Sequence, residues 1–349
     1  MARQPHRPAA STFPTAATIG VLTLPVRRGA DRYPSEAQLA LSYTQNLEDY
    51  HLWIGLGEKP TGFYIDVGAG HPIADNVSMW LYERGWRGIV VEPQPALAAL
   101  YPLVRPRDIC VSQLLGREEG EIDFHVFARL HGLSTTVARH ADGARAFGDD
   151  FRVVRTRVTT LAALCARHGV DQIDVLKIDV EGAEADVLAG NDWSRYRPRV
   201  VVAEAIEPGT GAPAHTAWEP SLIANGYTFV LDDTLNRFYV ANEAEDVLER
   251  FPRQRAAWDS ATHMYEIGRA SENPAHPDHA LARDLSRGLW ASLPHLEPEL
   301  LARLIVAGRV GQERPDATAL ARALRSDAMR AALGRIACGY DGGQIIEGE

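Results

Sequence analysis

Between residues 62 and 241, apolar runs of strand length alternate with stretches whose apolar residues recur every three or four positions. The first run, 62–67, ends in Gly68-Ala69-Gly70-His71-Pro72, a strand entering a glycine turn. The spacing then predicts a helix over 76–85, with Asn76 as N-cap and Gly85 as stop, and a second strand over 88–92. Together these make one βαβ unit. Further strand-length runs lie at 107–112, 122–127, 173–178 and 199–204, with helical stretches near 95–101, 159–168, 182–189 and 217–225. Such alternation predicts an α/β fold with a mostly parallel sheet covered on both faces. Past Gly226, the runs 227–231 and 237–241 flank a turn-rich linker at 232–236 and predict an antiparallel hairpin closing the sheet edge.

The flanks read differently. Leu39, Tyr43, Leu47, Tyr50 and Ile54 fall on one face of a helix predicted over 35–56 and ended by Gly55 and Gly57. Residues 1–34, rich in Ala, Pro, Thr and Arg without a sustained period, read as a flexible N-terminal arm. After Pro252 the composition shifts to Ala, Arg, Leu and Glu. Prolines there divide short helical stretches such as 299–308 and 316–337, and the tail from Gly339 reads as frayed. The expected organisation is an arm over 1–34, an α/β unit with its preceding helix over 35–251 and a helical appendage over 252–349. The apolar face formed by Leu300, Leu301, Leu304 and Ile305 packs helices or joins a homodimer.

Charge narrows the classes of partner. The chain carries 36 Lys and Arg against 46 Asp and Glu, a net of -10, and no basic run tracks a phosphate backbone, so nucleic acid is not expected. No stretch of about 18 apolar residues runs without charge, which removes a membrane-spanning helix. Cys110, Cys165 and Cys338 are widely spaced, so neither a zinc cluster nor a disulfide framework is indicated and a reducing cytoplasm is the simplest setting.

The chemistry gathers at strand ends. Asp66 closes the first strand before Gly68-Ala69-Gly70, and Glu92 closes the second, 22 residues after Gly70. In an open α/β sheet, ligands sit outside the carboxyl ends of the strands, where Glu92 can take both hydroxyls of a ribose. A dinucleotide fingerprint needs a third glycine, but Ile73 stands there and Pro72 removes an amide, so a phosphate cradle is poorly supported. S-adenosylmethionine, with no phosphate but with an ammonium, a carboxylate and a sulfonium, is the better chemical match. A second cluster, 173–184, ends an apolar strand in Asp179, Glu181 and Glu184. The two glutamates also suit the first turn of a helix, which favours negative charge whatever the chemistry. Glu204 would emerge on the same sheet edge, completing an acidic rim apt for a sulfonium or for an oxygen-ligand metal such as Mg²⁺.

Several separated segments resemble the FkbM-type methyltransferase family: the first strand and its turn, Lys177 to Glu184, Leu235 to Val240, Ser42 to Asp49, and Arg84 to Gly88. The resemblance covers about 40–251. It implies a class I methyltransferase fold, Rossmann-like, using S-adenosyl-L-methionine to methylate a hydroxyl of a sugar or secondary metabolite, as in natural product biosynthesis. It also implies that Asp66, Gly68, Ala69 and Gly70 meet the methionine part, Glu92 the ribose and Ser112 the adenine, with Gln45 and Asp49 closing over the site.

Methyl transfer to oxygen needs an aligned acceptor and a destination for its proton. Asp179 is the expected base or Mg²⁺ ligand, supported by Glu181, Glu184 and Glu204. His71 and His131 are alternative bases, though each reads more readily as an ordinary loop histidine, and His125 is a weaker one. Tyr43, Trp53, Trp80, Tyr82 and Trp86 read first as core. A nicotinamide-dependent oxidoreductase, a methyltransferase for a peptide or carboxylate, and a non-catalytic nucleotide-binding scaffold remain as competing readings. Gly132-Leu133-Ser134-Thr135-Thr136 lines the acceptor pocket or is a structural loop.

Overall fold

The computed structural model describes residues 41–127, 130–145, 148, 150–207, 210–308 and 315–341. The expected arm over 1–34, Leu39 and the tail beyond Asp341 lie outside the described residues. Twelve strands follow in chain order: β1 (Leu41–Ser42), β2 (Phe63–Val67), β3 (Arg87–Val91), β4 (Ile109–Val111), β5 (Leu114–Leu115), β6 (Gly120–Phe127), β7 (Phe151–Thr159), β8 (Val175–Ile178), β9 (Val200–Glu204), β10 (Tyr227–Asp232), β11 (Asn236–Ala241) and β12 (Thr262–His263).

Seven of them form the central sheet, in the order β10-β11-β9-β8-β2-β3-β4. From β9 to β4 every neighbouring pair is parallel, and β11 runs antiparallel to both β9 and β10. The hairpin therefore closes the sheet as expected, but its second strand makes the junction and its first strand forms the edge. The middle strands read as continuous apolar runs because both faces are covered: Ile65, Ile89, Val90, Leu176, Ile178 and Val200 to Ala203 have no exposure to solvent. Parallel β2, β3, β8 and β9 bring their carboxyl ends to one edge, which fixes where a ligand can sit.

Three expectations change. Among the described residues of the helix predicted over 35–56, only Glu48–Gly55 is helical, and β1 pairs in parallel with β12 instead. The reason is local: Leu47 takes a left-handed φ of 63°, while the Asp49 carboxylate accepts from the Ser42 hydroxyl, the Tyr43 amide and the Thr44 hydroxyl. These bonds replace the helical pairing that Tyr43 would have made. The helix predicted over 76–85 is Met79–Glu83, because Asn76 turns its amide away to the Ala69 and His71 carbonyls rather than capping the helix. The strand near 122–127 belongs to a separate sheet of order β5-β7-β6, in which Leu114, Phe124 and Val126 pack against Val154 and Val158.

The appendage is helical, over His279–Ser292, Pro298–Ala307, Ala317–Leu324 and Asp327–Asp341, and has its own small core of Leu293, Leu301, Ala302, Ala321 and Leu324. The stretch predicted as one helix over 316–337 breaks at Ser326, whose hydroxyl accepts from the Met329 amide and starts the last helix. Among the described residues no helix is long and apolar enough to cross a membrane.

Candidate functional site

One cavity opens over the carboxyl ends of β2, β3 and β8. Its floor is the turn after β2. Gly68 and Gly70 adopt φ of 74° and 61°, a region that an L side chain enters at a cost, so the chain can reverse there without a bulge of side chain into the cavity. A buried polar network holds the turn from behind. The Tyr101 hydroxyl lies 3.1 Å from the Ala69 carbonyl, and Asn76 donates to the same oxygen at 2.9 Å. Arg105 donates to Asn76, Tyr64 and Ser78, and pairs with Asp108 at 2.7 Å with both side chains fully buried. A charge pair this deep is tolerated because its hydrogen-bonding capacity is met on nearly every side.

Glu92 stands at the mouth of the turn. Its two oxygens accept from the Gly70 amide at 2.8 Å and the Gln94 amide at 2.7 Å. Burial, opposed by those amides and helped by nearby Asp66, pushes its carboxyl up to about 7. Four further amides of the turn are also spoken for. Gly68 and Ala69 donate to the Val91 carbonyl, and Ile73 and Ala74 donate to Nδ1 of His71. Because Nδ1 of His71 is an acceptor here, the neutral ring carries its proton on Nε2, which argues against His71 as a proton acceptor. Burial, with His131 nearby, also lowers the His71 pKa.

Lys177 and Asp179 supply the opposite wall. The buried Lys177 ammonium lies 2.9 Å from Oδ2 of Asp179. Burial alone would lower the Lys177 pKa, but Asp179, Asp66 and Glu204 outweigh it and raise it, so the ammonium stays charged. Glu181 follows with a left-handed φ of 56°, its carbonyl held by the Thr135 hydroxyl at 2.7 Å and by His140 at 3.1 Å. Burial, then the Asp179 and Glu184 charges, push Glu181 up to about 9; burial and the same cluster push Glu204 up to about 11. One carboxylate oxygen each from Asp179, Glu181 and Glu204 lies within 4.8 Å of the others.

Of the residues expected in the site, Gln45, Gly68, Ala69, Gly70, His71, Glu92, Asp179 and Glu181 line the cavity, as do His131 and Ser134. The others stand elsewhere. Asp49 is fully buried and spends its oxygens on Ser42, Tyr43, Thr44 and Tyr50, so it fastens the entry to the first helix rather than closing over a ligand. Asp66 lies behind the turn and accepts from the Ser78 hydroxyl at 2.6 Å. Ser112 is exposed and faces the Pro93 carbonyl, and its neighbours Gln113, Leu114 and Leu115 line the cavity in its place. Glu184 accepts from the Val180 and Gly182 amides and serves the turn, not the cavity. Of the aromatic set, Tyr43, Trp80, Tyr82 and Trp86 are core residues. His125 is buried against the Thr135 carbonyl.

The sequence reading missed Lys177, Glu48 and Asn236 as cavity residues. Asn236 donates to Glu48 at 2.9 Å across 188 positions of chain, a link that joins the hairpin to the first helix. Burial raises the Glu48 carboxyl. The quoted segments at 42–49, 177–184 and 235–240 already contained all three, but neither periodicity nor spacing assigned them a direction.

Residues 66–229 match the family model described as Methyltransferase FkbM domain. No curated protein matches the chain.

Proposed function

Since residues 66–229 match the model of the methyltransferase FkbM domain, we propose that the chain uses S-adenosylmethionine to methylate a hydroxyl of a sugar or other small metabolite, on a class I methyltransferase fold. The observation that carries the choice of cofactor is the occupancy of the turn amides. Pro72 has none, Gly70 gives its own to Glu92, and Ile73 and Ala74 give theirs to His71. A pyrophosphate would meet satisfied donors and a carboxylate at the mouth of the turn, whereas a ribose would meet acceptors for its hydroxyls. The strand order, with β11 reversed inside an otherwise parallel set, supports the fold assignment.

The cavity's donor set suits the cofactor. Glu92 would hold the ribose, and Leu114, Leu115 and Phe124 offer an apolar wall for the adenine beside Gln113. Thr44, Gln45, Lys177 and Asn236 offer polar groups for the amino-acid end. When bound, the cofactor would supply an electrophilic methyl group, and the Asp179 carboxylate would complement its positive charge. Asp179 would take the proton of the acceptor hydroxyl as its oxygen displaces the sulfur of the cofactor from the methyl carbon. Lys177 holds one Asp179 oxygen and leaves the other facing the acceptor side.

Calorimetric titration with S-adenosylhomocysteine, with NAD⁺ in parallel, tests the cofactor. Saturable binding of the first alone is the expected result; binding of NAD⁺ without the first would overturn the reading. Asp179→Asn should retain S-adenosylhomocysteine binding and lose turnover on any hydroxyl acceptor that the native chain methylates.

A further inference from the structure

The wall opposite Glu92 holds a group of carboxylates that the cofactor alone does not explain. Glu204, at the end of β9, is more than nine-tenths buried, and among the described residues its Oε2 has no hydrogen-bond partner. Several other buried carboxylates around the sheet edge are served: Glu184 by two backbone amides, Asp49 by two hydroxyls and two amides, Glu48 by Asn236 and the Asn46 amide. Asp66 also keeps a buried oxygen, Oδ1, without a partner, but its Oδ2 is bonded by Ser78. An unserved carboxylate oxygen in the interior is costly, and evolution of a stable core would ordinarily supply a donor. Here the nearest groups are two more carboxylates, since oxygens of Asp179, Glu181 and Glu204 fall within 4.8 Å of one another.

We propose that Asp179, Glu181 and Glu204 together hold a hard divalent cation such as Mg²⁺ at the wall of the cavity. Three lines of chemistry converge. The ligands are all oxygen, with no imidazole or thiolate among them, a set that suits Mg²⁺, Mn²⁺ or Ca²⁺ and not Zn²⁺ or Cu²⁺. Their charge would balance: with all three carboxylates ionised, the Lys177 ammonium on Asp179 leaves two negative charges for a divalent ion, which would take the place of the protons that Glu181 and Glu204 hold without it. Their presentation is built, not incidental. Glu204 is fixed by the pairing of β9 with β11 opposite Asn236, and Glu181 is set by its left-handed backbone, whose carbonyl Thr135 and His140 pin. Backbone held in a sparsely populated region by surrounding contacts tends to occur where a side chain must be aimed.

Three protein carboxylates leave open positions on a six-coordinate ion, so the ion would supply Lewis acidity beside the place where an acceptor hydroxyl loses its proton. That role rests on the methyltransferase reading; the occupancy of the site does not. Thr135 and His140 then count as positioning residues, acting through the Glu181 backbone.

The test is a titration of the metal-stripped full chain with Mn²⁺, read by the paramagnetic resonance of the free ion, with S-adenosylhomocysteine calorimetry on the same preparation. One saturable Mn²⁺ per chain, displaced by Mg²⁺, is expected. Glu204→Gln and Glu181→Gln should each weaken it at least tenfold with unchanged circular dichroism, while the remote Asp142→Asn leaves it unaltered. No stoichiometric binding, or equal binding by native chain and both glutamine variants, overturns the proposal. If Mn²⁺ fails while S-adenosylhomocysteine binds, the metal site falls and the methyltransferase reading stands. If Mn²⁺ binds and S-adenosylhomocysteine does not, the reverse holds.

Discussion

The turn after β2 allows packing to be separated from backbone conformation, because its two glycines differ in one respect only. Both sit at positive φ, but a Cβ on Gly68 would lie 1.7 Å from the Asp179 carbonyl oxygen, whereas a Cβ on Gly70 would meet nothing within 4 Å. Alanine at either position bears a left-handed penalty of about 1 kcal/mol, partly offset by the stiffer unfolded chain. At Gly68 the clash is with backbone and no rotamer can relieve it. The loop after β8 must move away from β2 by more than an ångström, which strains the bond from the Asp179 amide to the Val67 carbonyl at 3.0 Å. Overpacking of this kind costs about 1–3 kcal/mol, and a lost buried hydrogen bond about 1 more. Gly68→Ala should therefore cost roughly 4 kcal/mol and Gly70→Ala about 1.

Urea unfolding followed by the fluorescence of buried Trp80 and Trp86 reads the difference. With a slope near 3 kcal/mol per molar urea, the midpoints of the two variants should differ by about 1 M. S-adenosylhomocysteine calorimetry reads the other half: Gly70→Ala puts a methyl group into the cavity and should weaken binding at least tenfold while the fold survives. If both variants unfold within about 0.5 kcal/mol of each other, the close approach of the β2 and β8 loops is refuted.

Three further outcomes follow from buried charge. Glu92 lies near pH 7 rather than in the ordinary carboxylate range. Its raised pKa means the unligated fold loses stability as pH rises from about 4.5 to 7, while the ionised form that would grip a ribose becomes populated. S-adenosylhomocysteine affinity should rise up to about tenfold between pH 6 and 8, and Glu92→Gln should flatten that profile in calorimetry. Asp49→Asn should cost about 3 kcal/mol in urea unfolding by exchanging acceptors for a donor, and leave cofactor affinity intact; weaker binding at full stability would restore Asp49 as a closing residue. Arg105→Met strands Asp108 in the core and should cost about 3–5 kcal/mol; a loss below 1 would mean the Arg105–Asp108 pair does not hold the turn.

What the chain's pattern revealed, and what it hid, follows from the range of the forces involved. The runs at β2, β3, β8 and β9 were legible because strands covered on both faces must be apolar throughout, and their parallel order puts the carboxyl ends on one edge without any knowledge of contacts. The first strand, Leu41–Ser42, was not legible. Its partner lies at Thr262–His263, and the apolar spacing of Tyr43, Leu47 and Tyr50 is real but is served by a turn rather than by a continuous helix. The strand Phe151–Thr159 had a readable signal, with Arg152, Arg155 and Arg157 exposed around Val154 and Val158, but it lies on a second sheet that the βαβ reading left no place for.

The same distinction sorts the acidic residues. Sequence order alone places Asp66, Glu92, Asp179 and Glu204 at strand ends, and a carboxylate at a strand end is equally ready to meet a donor of the protein or a ligand. The donor decides which. Asp66 is met on one oxygen by the Ser78 hydroxyl and becomes support for the turn, its other oxygen buried without a partner; Glu184 is met by two amides and becomes a brace; Glu92 is met by two amides yet lines the cavity. Asp179 is met on one oxygen by Lys177, and Glu204 has a buried oxygen met by nothing among the described residues. These donors come from elements up to tens of residues away and have no periodic signature, so function at this edge falls to the carboxylates that line the cavity or gather beside it, and an unspent lone pair alone, as on Asp66, does not mark them.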